Sequence, residues 1–200
     1  MIEASFALRG ATLPTDHGYA LFGACSRALG PVLHGATWLA VAPVRGARQS
    51  RDLALTPASA LRLRLPPERL PEVLPLAGRE LEVDGHRVRL EAARVAPLAP
   101  ARDLRARLVT VKGFTEPEPF AEALRRQLDV LEVAAQVDVG ARRVTRVAGD
   151  TVVGFAVELR GLEDAASLRV QAAGLGGRRR FGCGFFLHAP KSLALRRDMK

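Results

Sequence analysis

The stretch from Arg79 to Leu90, RELEVDGHRVRL, is the clearest local element of this 200-residue sequence. Apolar residues alternate with charged ones on both sides of Asp84-Gly85, a dipeptide that favours the left-handed backbone of a tight hairpin turn. The stretch therefore predicts two antiparallel strands that bury one face only. The hairpin closes the first half of the chain, so the elements before it decide which fold it completes.

The residues before the hairpin predict the rest of a small α+β unit. A helix capped by Thr15 or Asp16 is expected to run to about Leu29, where Gly30-Pro31 ends it. A strand is expected before this helix, and two strands and a short helix after it. These elements are predicted over residues 1–8, 37–44, 61–65 and 67–76.

A similar order of elements follows a linker at residues 97–100. The predicted strands cover residues 104–111, 133–139, 144–147, 151–159 and 181–187, and the helices cover 120–131 and 163–173. Strand–helix–strand–strand–helix–strand is the order of a ferredoxin-like fold. The sequence therefore predicts an α+β protein of two tandem ferredoxin-like (βαββαβ) domains, residues 1–97 and 101–200. The second domain carries a glycine-rich loop near its C-terminus.

The charge of the chain is basic and unevenly distributed. The formal net charge is +9, and residues 140–200 hold twelve Arg and Lys against five Asp and Glu. Such an excess favours a polyanionic partner such as nucleic acid. The alternative is that the abundance of arginine over lysine reflects composition bias, although bias of that kind does not explain the net excess.

Several classes of protein are not indicated by the sequence. A hydrophobic content of 48% supports a folded core rather than a disordered chain. Cys25 and Cys183 are far apart and lack metal-ligand spacing, and Asp138 and Asp150 do not form a convincing metal site. No signal peptide or membrane span is visible. We therefore expect a cytoplasmic protein with no membrane partner, no bound metal and no cofactor.

The segment from Gly174 to Gly184, GLGGRRRFGCG, combines five glycines with three consecutive arginines. Glycine lets backbone N–H groups approach an anion closely, and the guanidinium fork of arginine matches phosphate oxygens. Phe181 is placed either to stack a base or to point inward. The segment thus predicts a phosphate-binding surface; the alternative is a glycine-rich turn with a solvated basic run.

Three features in sequence order carry a family resemblance: LPTDHGYAL at residues 13–21, VLH at residues 32–34, and the glycine- and arginine-rich segment. Their combination resembles the CRISPR repeat-RNA-processing endoribonucleases of type I systems, in the repeat-associated ferredoxin-like superfamily. The short MYXAN-type variant is the most similar form, and the resemblance covers essentially the whole chain. It implies cleavage of precursor CRISPR RNA without metal, in which a ribose 2′-OH attacks the neighbouring phosphate. The implied products carry a 2′,3′-cyclic phosphate and a 5′-OH.

The resemblance also implies roles for single residues. His34 matches the family's catalytic histidine, and imidazole suits proton transfer because its ordinary pKa of about 6.5 is close to the working pH. His17 is a second candidate, with the alternative that it only orients the start of the helix. Ser26 stands where several relatives place a helper tyrosine on the first helix. The RNA-contacting role of the family's loop falls on Gly176, Gly177, Arg178, Arg179 and Arg180.

The expected partners follow from the same resemblance and from the basic residues. Arg142, Arg143 and Arg146 are candidates to extend a phosphate track, with a solvated strand face as the alternative. A stem-loop repeat RNA is the expected substrate, the mature guide RNA is expected to stay bound, and subunits of a CRISPR effector complex are expected partners. The alternative functions are a non-catalytic RNA-binding subunit of such a complex and a ferredoxin-like protein-interaction module.

Overall fold

The computed structural model describes residues 1–33 and 35–190. In these residues twelve strands and four α-helices are formed. The strands are β1 (Ile2–Arg9), β2 (Thr12–Pro14), β3 (Ala40–Val41), β4 (Ala47–Gln49), β5 (Asp52–Ala54), β6 (Ala60–Leu65), β7 (Glu80–Val83), β8 (His86–Pro97), β9 (Leu104–Val109), β10 (Gln136–Val147), β11 (Asp150–Arg160) and β12 (Leu187–His188). The helices are α1 (Gly18–Leu29), α2 (Leu70–Val73), α3 (Pro117–Val130) and α4 (Asp164–Ala173), and short 3-10 turns cover Gly30–Leu33, Pro67–Arg69, Leu74–Leu76 and Arg179–Phe181.

The N-terminal sheet has the strand order β3-β6-β1-β8-β7, with all neighbours antiparallel. In this sheet β1, β3, β6 and β8 correspond to the first, second, third and fourth strands of a βαββαβ unit. Their spatial order β8-β1-β6-β3 is therefore 4-1-3-2, which is the ferredoxin-like arrangement. Alternate residues of the strands face α1 because side chains in a strand point to opposite faces in turn. Leu21, Ala24 and Cys25 of α1 are buried in the resulting core. The hairpin is confirmed, with φ of 50° at Asp84 and 80° at Gly85.

The C-terminal sheet repeats this arrangement in the order β10-β11-β9-β12. Helices α3 and α4 contribute to a second core, in which the rings of Phe120 and Phe155 lie 4.7 Å apart. The predicted fold class, two tandem ferredoxin-like units in an α+β protein, is confirmed. The boundaries at residues 97 and 101 stay a prediction. No helix in the described ranges is long and apolar enough to cross a bilayer.

Three strand predictions need correction. Only Ala40 and Val41 of residues 37–44 are in a strand. Only Leu187 of residues 181–187 is in a strand, because Gly182 and Gly184 adopt φ values of 84° and 62° and turn the chain between a 3-10 turn and the short β12. Residues 133–139 and 144–147 do not give two strands: residues 136–147 form one, which absorbs Gly140 and Ala141 in a bulge between Val139 and Arg142.

The predicted capping of α1 by Thr15 or Asp16 is also wrong. The helix begins after His17, and no side chain caps it. The Asp16 carboxylate instead accepts hydrogen bonds from the Thr145 hydroxyl and from the Arg146 backbone N–H on β10. A partner 130 positions away has thus replaced the local capping partner, which sequence spacing alone does not reveal.

A buried arginine joins the two halves of the molecule. Arg64 of β6 is 2% exposed, donates to the Gln171 backbone carbonyl of α4 at 3.0 Å and pairs with Glu3 at 3.2 Å. Its guanidinium lies 4.1 Å from the centre of the Phe185 ring. Burial lowers the pKa of Arg64 to about 10, and Glu3 opposes this shift. The contacts join α4 to the N-terminal sheet.

Candidate nucleic-acid interface and active site

The glycine-rich loop is packed into the protein by its own backbone. The N–H of Gly176 donates to the Gln127 side-chain oxygen at 2.7 Å, and the N–H groups of Gly177 and Gly184 donate to the carbonyls of Thr110 and Leu108, each at 2.8 Å. These amides are therefore occupied within the fold rather than directed at a ligand. They fix the position from which the loop presents its arginines.

The three arginines of the loop differ in their surroundings. Arg178 is exposed and has a left-handed backbone with φ of 60°. Arg179 turns inward and donates to the Ala172 carbonyl at 2.7 Å, and partial burial lowers its pKa. Arg180 lies over the rings of Phe22 and Phe181, at 5.3 and 5.6 Å from their centres. Arg178 is thus the most accessible of the three for a phosphate, and the RNA-binding role of all three stays a prediction.

Phe181 packs against the start of α1. Its ring makes edge-on contacts with Tyr19 at 5.3 Å and Phe22 at 5.4 Å, centre to centre. Phe181 is half-buried in this contact, and it also lines a cleft described below. Tyr19 remains 45% exposed beside it. The loop and α1 therefore share one surface at the boundary between the two halves.

Next to this surface is a cleft of about 260 Å³, which we call the arginine cleft because Arg48, Arg107, Arg142 and Arg143 line it. A second cleft of about 450 Å³ shares Arg107 and Arg143 and adds Arg45 and Arg105. Arg142 and Arg143 are predicted site residues, and the structure places both of them in the cleft with Arg48 and Arg107. Arg146 is exposed and lines neither cleft, although its neighbour Thr145 lines the arginine cleft.

The sequence reasoning missed Arg48, Arg107, Arg45 and Arg105. A signal for two of them exists, because Arg105 and Arg107 alternate with buried residues along β9 and so occupy its solvent-facing side. Arg48 lies in the short β4, and Arg45 lies just before it. No pattern in the sequence of this segment points to a site. Arg45 and Arg48 belong to the N-terminal half, so both halves contribute to the basic surface, although four of its six arginines come from the C-terminal half.

The arginine cleft concentrates positive charge. Partial loss of water around Arg107 lowers its pKa, and the nearby charges of Arg143 and Arg48 lower it further, while Asp16 opposes them. Within the described ranges, none of the four arginines has a carboxylate within 4.0 Å. The Nε of Arg143 is buried and has no hydrogen-bond partner among those residues. This arrangement favours an anion with several accepting oxygens.

His17 occupies the wall of the cleft but is 1% exposed. The Val44 N–H donates to its Nε2 at 2.9 Å, so Nδ1 carries the proton and donates to the Pro14 carbonyl, also at 2.9 Å. Both ring nitrogens are therefore occupied by the backbone. This geometry favours the alternative interpretation, in which His17 positions the start of α1 against the segment around Val44.

The buried His17 gives a testable pH dependence of stability. Burial lowers its pKa, although the hydrogen bond to Pro14 opposes the shift. Below about pH 6.5, His17 binds a proton in the unfolded chain but stays neutral in the folded protein. The free energy of unfolding therefore falls as the pH drops towards the lowered pKa. We expect His17→Gln to be about 2 kcal/mol less stable near neutral pH and to lose this part of the pH dependence. Urea unfolding across this pH range measures both effects.

The matched control for His17 is His188→Gln, because His188 is exposed. The His188 variant should keep the pH dependence of the wild type. If His17→Gln unfolds with an unchanged pH dependence, the buried neutral state assigned to His17 is wrong.

The remaining catalytic candidates are Ser26 and His34. Ser26 is half-buried on α1, and its carbonyl accepts the Gly30 N–H that ends the helix. His34 lies outside the described residues; Leu33 before it is buried, and Gly35 after it has φ of 71°. Both roles stay predictions. In residues 1–33 and 35–190, no group of three or more His, Cys, Asp or Glu side chains could hold a metal ion.

Comparison with known families and proteins decides the kinship of this chain. The family model described as "Cas6 Crispr" matches residues 2–191. The CRISPR-associated endonuclease Cas6 of Myxococcus xanthus strain DK1622 is 43% identical over 186 residues, covering 93% of this chain and 80% of the relative. The chain belongs to the Cas6 family. The resemblance stated from its motifs and the predicted class, a CRISPR-associated endoribonuclease, are both confirmed.

Solved structures of a Cas6-related protein and of Cse3 share the fold of this chain. A Cas6-related protein of Pyrococcus furiosus has a TM-score of 0.68 at 10% identity, covering 95% of this chain and 99% of its own. Cse3 of Thermus thermophilus, bound to an RNA representing a pre-cleavage complex, has a TM-score of 0.54 at 14% identity. The match covers 94% of this chain and 98% of the Cse3 chain. At these identities the likeness shows the shared fold alone.

Proposed function

We propose that this Cas6-family enzyme cleaves precursor CRISPR RNA within the repeat, without metal, and holds the RNA backbone in the arginine cleft. The observation that carries the proposal is the convergence of Arg48, Arg107, Arg142 and Arg143 beside α1 and the glycine-rich loop. Guanidinium groups without carboxylate partners bind phosphates, and they also stabilise the negative charge that builds up during attack on a phosphate.

The proposed reaction needs two proton transfers. The ribose 2′-OH gives its proton to a base as O2′ attacks the adjacent phosphorus. The P–O5′ bond breaks, and O5′ takes a proton, so the products are a 2′,3′-cyclic phosphate and a 5′-OH. His34 is the leading residue for one of these transfers. Ser26 is the second candidate, and the occupied ring nitrogens of His17 support a positioning role for that residue.

The binding surface has a division of roles in this proposal. Arg142 and Arg143 hold phosphates together with the cleft residues from the other strands, and Arg178 and Arg146 extend the track at its edge. Gly176 and Gly177 contribute by fixing the loop, since their amides are already bonded. A stem-loop repeat is recognised mainly by shape and backbone charge, because the deep major groove of an RNA helix hides its bases. Retention of the guide RNA in an effector complex belongs to the same proposal.

Cleavage of a labelled repeat RNA in the presence of EDTA tests the mechanism. We expect cutting to continue in the chelator and a substrate with one 2′-deoxy residue on the 5′ side of the cut to stay intact, because that substrate lacks the nucleophile. The 5′ fragment should carry a cyclic phosphate, which resists phosphatase until acid opens it. Loss of cutting in EDTA with recovery on adding Mg²⁺ would contradict the metal-free mechanism. Tight binding without any cutting would restore the alternative of an RNA-binding subunit.

A further inference from the structure

Asp16 places a negative charge inside the arginine cleft. Among the described residues that line the arginine cleft, it is the only carboxylate. It lies just before α1, yet it does not cap that helix. Its two oxygens instead reach the C-terminal half, where one accepts from the Thr145 hydroxyl and the other from the Arg146 N–H at 2.8 Å.

The two donors that hold Asp16 form a small anion site. Thr145 is 7% exposed and belongs to β10, between Arg143 and Arg146. The charge of Asp16 acts on Arg107 against the lowering of its pKa by Arg143 and Arg48. A carboxylate and a phosphodiester carry the same single negative charge and two accepting oxygens each, so the same hydroxyl, amide and guanidinium groups suit both.

We propose that Asp16 occupies a phosphate-binding position formed by Thr145 and Arg146, and that a phosphodiester of RNA displaces it when RNA enters the arginine cleft. This inference rests on the proposed function and adds to it a regulatory contact. In the free protein Asp16 offsets part of the cleft's charge and links the two halves. Bound RNA takes over both donors, so an anion must make several other contacts with the cleft before the exchange is favourable.

Binding of a short fluorescent oligouridylate to the full-length protein tests the exchange, since this probe has phosphodiesters but no repeat sequence. We expect Asp16→Asn to bind about tenfold more tightly than the wild type, because RNA no longer competes with a carboxylate. Asp150→Asn is the matched control. Asp150 is an exposed acid at the start of β11, the strand that pairs with β10, and it lines neither cleft. Its replacement should leave the affinity almost unchanged.

A double-variant cycle separates displacement from a long-range charge effect. If a phosphate bonds the Thr145 hydroxyl, the gain in RNA affinity caused by Asp16→Asn should largely disappear when D16N/T145V is compared with Thr145→Val alone. A gain that survives in D16N/T145V overturns the proposal, because general charge then explains it. An Asp16→Asn affinity equal to or weaker than the wild type also overturns it and makes Asp16 a structural link only.

The outcomes also separate this inference from the proposed function. A wild type that binds oligouridylate but never cuts the repeat contradicts the proposed reaction, while the Asp16 comparison still decides the anion site. Thermal unfolding shows whether each variant is folded at the assay temperature. If Asp16→Asn is not folded, Asp16→Ser, which keeps a small polar side chain without the charge, carries the same expectation.

Discussion

We expect His34→Ala to lower the single-turnover rate of repeat cleavage by about 10²–10⁴-fold while the affinity for repeat RNA changes little. The substitution removes a group proposed to move a proton in the transition state and leaves in place the arginines that are proposed to bind phosphates. Rate and affinity should therefore respond separately. Quenched-flow cleavage of a labelled repeat gives the rate, and binding of a 2′-deoxy repeat that cannot be cut gives the affinity.

His86→Ala is the control for the His34 prediction. His86 begins β8, its Nδ1 shares a hydrogen bond with the Thr12 hydroxyl, and it lines neither cleft. This variant should cut at close to the wild-type rate. Near-normal cleavage by His34→Ala would exclude His34 as an acid or base and direct attention to Ser26. An equal loss of rate and affinity would instead assign His34 to binding.

Gly18→Ala is expected to destabilise the protein by about 3 kcal/mol, although alanine is the better helix former. Gly18 is the first residue of α1, and a Cβ added there would lie 2.1 Å from the Phe181 carbonyl oxygen and 2.9 Å from its carbonyl carbon. These are backbone atoms of the glycine-rich loop and cannot rotate away. Either α1 or the loop must shift, so RNA cleavage should fall together with the free energy of unfolding measured in urea.

The same helix provides the control for Gly18. At Gly23 an added Cβ would meet only the tip of the Arg27 side chain, at 3.5 Å. Gly23→Ala should therefore stabilise the protein by about 0.5–1 kcal/mol through helix propensity alone. If Gly18→Ala were as stable as Gly23→Ala, the close contact between α1 and the loop would not exist in solution.

Much of the fold was predictable because its elements carry local signals. The alternation around Asp84-Gly85 predicts the hairpin, and the four-residue spacing of apolar residues predicts α1 and α3 close to their observed positions. The order of these elements then indicates the tandem ferredoxin-like class. The wrong predictions fall where contacts distant in sequence override the local pattern, as at Asp16, which bonds β10, and in residues 181–187, which pack against β9 and α1.

The site was less predictable, and the reason is the distance along the chain between its parts. The motif around His17 and His34 indicates the family, and Arg142 and Arg143 are visible as a basic run. Arg48 of β4 and Arg107 of β9 join them only because the fold places residues of both halves around one cleft. Likewise the loop arginines look equivalent in sequence, while the structure turns Arg179 inward and leaves Arg178 exposed.

By itself, the sequence determined the hairpin, the positions of α1 and α3, the fold class and the family, since periodicity, turn residues and short motifs depend on neighbours along the chain. Only the tertiary structure decided that Asp16 bonds Thr145 and Arg146 rather than its own helix, and that both nitrogens of His17 are occupied. A hydrogen bond or an uncompensated charge depends on which groups the packing brings within a few ångströms, and spacing along the chain does not specify that.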